Sequence, residues 1–120
     1  MLLTKEQILT KELVQENFDC TPYGLEGEVI IQELTVDDRD TLELSVVQGD
    51  KINLKNLRAK TLALSCVDGE GNKIFSLEDA QAIGKISGRM MVEMYRVAKR
   101  LSGLGEDEVK ALVKKSEPNA

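Results

Sequence analysis

From Asn53 to Ser76 the chain reads NLKNLRAKTLALSCVDGEGNKIFS. Leu54, Leu57, Thr61, Leu64 and Val67 recur at spacings of three and four, the period of one helix face. The spacing predicts a helix from Leu54 to Val67 with that stripe in the core. Ala59, Ala63 and Cys66 are small and would let a second helix come close. Asp68-Gly69-Glu70-Gly71 ends the helix, and Ile74-Phe75 reads as a short extended piece suited to a hairpin edge. Ser76 followed by Asp79 then caps a further helix from Leu77 to about Ile83.

Downstream, Gly84 and Gly88 permit a break, each costing about 1 kcal/mol relative to Ala inside a helix. The longest element is expected from Ile86 to Leu101. Ile86, Met90, Met94, Val97 and Leu101 form one row, and Met91, Tyr95 and Ala98 an adjacent one. Arg89 and Glu93 stand at the i,i+4 spacing of an ion pair. The apolar face is wider than one core stripe needs, and Met adapts readily to partner surfaces. Met90 and Met94 are therefore expected to point inward, with Met91 and Tyr95 towards a neighbouring chain. A last helix is expected from Glu106 to Lys115, acidic at its start and basic at its end as the helix dipole favours.

Upstream, Thr4 with Gln7 is a capping-box pattern that opens a helix from Lys5 to Gln15, with Ile8, Leu9, Leu13 and Val14 on one face. Pro22 breaks the period. The β-branched run Glu28–Leu34 reads as a strand, paired as a hairpin with Phe18–Tyr23. One hairpin face meets the helices; the other, including Ile30, is offered to another subunit. Thr35 with Asp38 caps a helix from Val36 to Val47, with Leu42, Val46 and Val47 inward, and residues 48–51 form a loop. The expected fold is α+β and predominantly α-helical. A small β-hairpin near the N-terminus packs with about five to six helices in one domain over residues 1–115, and 116–120 are a tail.

With 42% hydrophobic and only 3% aromatic residues, the core must be aliphatic. A net charge of −5 without basic blocks disfavours nucleic acid and anionic membranes as partners. No apolar run approaches a membrane span or forms a secretory leader behind Met1, and Cys20 and Cys66 lack any paired spacing. A reducing cytoplasm is the expected compartment.

The chain has no histidine, which removes the commonest general base and the usual zinc ligand. Asp37, Asp38 and Asp40 lie where a helix start favours acids. Cys66 sits in an apolar run where burial would make it inert. Asp68, Glu70, Asn72 and Asp79 fall at positions 1, 3, 5 and 12 of a calcium-loop pattern. Position 6, however, is Lys73 rather than Gly, and position 12 is Asp rather than Glu. Gly69 and Gly71 lack the rest of a phosphate loop. Lys55, Arg58 and Lys60 read as the solvated side of a helix. No catalytic residue, cofactor site or metal site is expected.

Three stretches, in this order, resemble the tail assembly chaperones of long-tailed bacteriophages. They are Val29–Leu34 followed by Thr35 and the acidic helix start Val36–Asp40; Asn56–Ser65 continuing through Val67–Asn72 to Ile74-Phe75-Ser76; and Ala98–Leu104. The likeness spans about residues 3–113. Gly105 departs from it, since similar proteins often begin the last helix with Ser or Thr and Pro. The resemblance implies a non-enzymatic chaperone of the host cytoplasm, absent from the finished virion, that self-associates into rings or spirals. It implies binding of the tape measure protein, and recruitment of tail tube protein during tail morphogenesis. A calcium-responsive helical module and a generic host protein-interaction adaptor are the alternatives.

Overall fold

Local capping chemistry starts three of the helical segments. The computed structural model describes residues 1–48 and 51–104. The Thr4 hydroxyl accepts from the Gln7 amide at 3.2 Å while the Gln7 side chain accepts from the Thr4 amide at 2.9 Å. Thr35 and Asp38 repeat this exchange at 3.0 and 3.1 Å. The Asp79 carboxylate accepts from the Ser76 amide at 2.8 Å. These residues open helix α1 (Lys5–Leu9), helix α2 (Val36–Val46) and a 3-10 turn (Leu77–Asp79) that continues into helix α4 (Ala80–Ile83). Helix α3 (Leu57–Ser65) precedes that turn, and helix α5 (Gly88–Ser102) follows α4, capped by Ser87 and closed by Gly103 at φ 66°. The expected last helix, the 116–120 tail, and the loop positions Gly49 and Asp50 lie outside the described residues.

The fold is α+β: helices pack with a three-stranded antiparallel sheet near the N-terminus. Strand β1 (Gln15–Asp19) pairs with β2 (Glu28–Gln32), Gln15 opposite Gln32 and Asp19 opposite Glu28. A third strand, β5 (Cys66–Val67), lies on the other side of β2, placing Ile31 opposite Cys66. Val47–Gln48 (β3) and Lys51–Ile52 (β4) form a separate two-residue ladder.

Several boundaries differ from the sequence reading, most of them where a tertiary pairing overrides helix periodicity. Helix α1 stops at Leu9, because Val14 and Glu33 exchange hydrogen bonds of 2.8 and 2.9 Å that draw the chain into β1. The first hairpin strand therefore begins at Gln15 rather than Phe18, and Pro22 sits in a 3-10 turn, Thr21–Tyr23. Helix α3 begins at Leu57 and stops at Ser65, because Cys66 and Val67 satisfy the second edge of β2. The extended piece then joins β5 rather than the hairpin directly: Val67 bridges Lys73, and the Ile74 amide donates to the Cys66 carbonyl at 3.2 Å. Helix α2 ends at Val46, and Val47 turns outward into β3.

Helices α3 and α5 lie together, and α5 also packs on the hairpin. Ile31, Leu62, Cys66 and Ala98 are completely buried between these elements, joined by Ala59, Ala63, Met91 and Met94. Of the small residues, Ala59 and Ala63 are buried in α3 beside α5, while Cys66 belongs to β5. A second cluster gathers Leu34, Leu42 and Leu64, with Leu57, Leu77 and Leu104 at its edge.

Candidate functional site

Several of the acids singled out in the sequence, and both thiols, are engaged in structure. Asp38 is buried, caps α2 and meets Lys73 Nζ at 2.9 Å. That same ammonium donates to the Leu64 carbonyl at 2.8 Å. Lys73, which reads in the sequence as a misfit in a calcium loop, thus ties the start of α2 to the end of α3. One Asp68 oxygen accepts from the amides of Glu70 and Asn72 at 2.9 and 3.0 Å, holding a turn. Asp79 is engaged by Ser76. Two of the four calcium-pattern side chains therefore serve backbone geometry. Among the described residues, no three His, Cys, Asp or Glu side chains are placed to share a metal ion.

Both cysteines are free thiols and buried. Burial, with a smaller contribution from Cys20, pushes the Cys66 thiol from its ordinary 9.0 up to about 12. Burial, then the neighbouring Asp19, raises Cys20 as well. An acid whose pKa is raised on folding keeps its proton in the native state after the unfolded chain has lost it. The stability Cys66 contributes is therefore complete below pH 9.0 and is lost as pH rises towards 12. The unfolding free energy of the wild type, from urea titration, should fall more steeply over that range than that of Cys66→Ala, by up to about 1.4 kcal/mol per pH unit. Parallel slopes would contradict the burial argument.

Contact surface is what the fold leaves open. Residues 1–14 carry Leu2, Leu3, Ile8, Leu9, Leu13 and Val14, all exposed, and α1 buries no residue. Leu2 is 95% and Leu9 71% accessible. The sequence reading placed Ile8, Leu9, Leu13 and Val14 along one helix face; in the fold they lie on a largely exposed arm, joined to the described part of the chain at Val14 and Glu33. Isolated patches beyond a few hundred Å² are uncommon on monomers and mark interaction sites.

A groove of about 710 Å³ runs between the start of α3 and the flank of α5. Leu54, Leu57, Ile86, Met91, Val92 and Tyr95 supply its apolar lining; Arg58, Arg96 and Lys99 stand along it. Met91 and Tyr95, expected to face a neighbouring chain, are each only 8% exposed. The cause is α3, which covers this row of α5, while Met90 and Val97 of the other row are only half-buried. Met91 and Tyr95 are thus part of the core and of the groove floor at once. Ile30 is half-buried, on the sheet face opposite Ile31.

Around Tyr95 the ring is flanked by the Arg58 guanidinium at 5.9 Å and Lys99 Nζ at 5.1 Å from its centroid. Burial raises the phenol pKa, and Arg58 partly opposes the shift. The expected Arg89–Glu93 pair is not what holds α5. Glu93 pairs with Arg96 at 2.8 Å, and Arg89 lies 5.2 Å over the Tyr23 ring, which stacks on Phe18. Further along, Arg100 grips Glu16 at 2.7 Å and the Ser102 hydroxyl accepts from the Leu34 amide at 2.9 Å. Lys60 donates to the Ser45 carbonyl at 3.0 Å, so it is a tie between helices and not a purely solvated charge. Sequence spacing cannot show these partners, because they lie on distant elements.

Comparison of the chain with protein-family models, with curated proteins and with solved structures finds no match. Among the described residues no helix is long and apolar enough to cross a membrane.

Proposed function

We propose that this chain is a non-enzymatic assembly chaperone of the phage tail type, acting in the host cytoplasm as a homo-oligomer. Its clients are the tape measure protein and, during tail morphogenesis, tail tube subunits. The observation that carries this reading is the arm of residues 1–14, whose six large apolar side chains stay 40–95% exposed beside the described residues. A soluble domain gains nothing from such a surface unless another chain covers it, since each such side chain is worth about 1.5–3 kcal/mol when buried. The order of the sequence stretches that resemble tail assembly chaperones supplies the identity of the client. The engagement of Asp38, Asp68, Asp79, Cys20 and Cys66 in caps, turns and core supports a reading in which the chain works by binding. Met91, Tyr95 and Ile30 remain candidates for partner contact, the first two through the groove they floor.

Co-expression with the tape measure protein encoded in the same gene cluster tests the proposal. The soluble yield of that protein should rise severalfold, and the two should co-purify. An unchanged yield without co-purification would contradict it.

A further inference from the structure

The groove between α3 and α5 combines three features. Its floor is apolar and open to solvent at Val92 and Ile86, which are 43% and 38% exposed. Its charged lining among the described residues is wholly cationic, in a chain of net charge −5. Arg96 is neutralised by Glu93, but Arg58 and Lys99 rest on the Tyr95 ring with no carboxylate of the described residues paired to either. Both bordering helices also begin here: Asn56, Leu57 and Arg58 of α3 and Gly88 of α5 line the groove, and the Asn56 side chain makes no cap bond. Helix starts add positive partial charge to the two side-chain cations.

We propose that this groove docks an amphipathic α-helix of a partner protein that carries Asp or Glu beside its apolar stripe. The apolar stripe would lie on Leu57, Met91 and Val92, making a third helix against α3 and α5. Its acids would meet Arg58 and Lys99. Helix-in-groove recognition uses apolar anchors at helical spacing, and rim charges select the partner. A basic helix of the same pattern would set like charges against the rim. This inference rests on the proposed function only in that the chain binds proteins; it does not need the partner to be a tape measure.

Two synthetic helical peptides with one Leu/Ala stripe test it, one bearing Glu and one bearing Lys at every polar position. Each is titrated against the full chain by fluorescence anisotropy. The Glu peptide should bind saturably and at least about tenfold tighter than the Lys peptide, although the net charge of the chain favours the opposite order. Val92→Asp and the double variant Arg58→Glu, Lys99→Glu change surface positions, and both should lose that binding while keeping the wild-type circular dichroism. Equal binding of the two peptides by the wild type overturns the proposal without recourse to any variant. So does undiminished Glu-peptide binding by Val92→Asp. Absence of peptide binding, with a wild-type oligomer that Val92→Asp dissociates, would instead assign the groove to a second copy. If peptide selectivity holds while co-expression with the tape measure fails, the groove stands and only the tail-assembly reading falls.

Discussion

Lys73→Met is expected to lower the unfolding free energy by about 2–3 kcal/mol, a large share of the 5–15 kcal/mol typical of a small domain. The Asp38 side chain is only 10% exposed and that of Lys73 37%, so the two ends of the pair are unequally wet. Removing the ammonium leaves the carboxylate largely out of water with its cap bond to the Thr35 amide and takes the donor from the Leu64 carbonyl. A buried charge that loses its partner is costly, and exposure of the lysine keeps the effect below that of a fully buried pair. Asp38→Asn should cost less, about 1 kcal/mol, because the abandoned ammonium can reach solvent and retains Leu64. Urea unfolding with an unchanged m-value reads both variants. A Lys73→Met protein as stable as the wild type would mean that this three-way tie holds nothing together.

What could be read from the sequence was the chemistry that acts over three or four residues. Thr4 with Gln7, Thr35 with Asp38 and Ser76 with Asp79 start helical segments where the pattern put them, because a cap is complete within one turn. The hairpin and the α+β class followed from the β-branched run at Glu28–Leu34 and the helical stripes on either side. The ends of elements were less legible. Cys66 and Val67 continue the apolar period of α3, yet pairing with Ile31 and Ile30 makes them a strand. The row of α5 that faces inward is chosen by where α3 lies, which no spacing within α5 reveals. Lys73 illustrates the same limit: beside Asp68 and Asn72 it looks like a flaw, and only its contact with Asp38, far away in sequence, gives it a purpose. The arm is the reverse case. Its apolar residues at Ile8, Leu9, Leu13 and Val14 have the pattern of a core-facing helix, and sequence alone does not say that the fold leaves them exposed.

Replacing Leu3, Ile8 and Leu9 together by Ser is expected to abolish self-association while each chain still folds on its own. Beside the described residues these side chains stay mostly exposed, Leu3 63%, Ile8 61% and Leu9 71%, and α1 contributes no buried residue. Their loss therefore takes no packing from the core. Between chains the same side chains matter, at roughly 1.5 kcal/mol or more apiece when covered. Three such losses weaken association by roughly a thousandfold or more. An isolated turn as short as α1 is also marginal in water, so its helical form is itself best supported by contact with another chain.

Sedimentation velocity of the wild type and of this triple variant, run beside urea unfolding of both, addresses the claim that the arm exists to be covered by protein. The wild type should sediment as an oligomer whose unfolding midpoint rises with protein concentration, and the variant as a folded monomer whose midpoint does not. A wild type that stays monomeric at all concentrations, with an unfolding midpoint that does not depend on concentration, would contradict the claim.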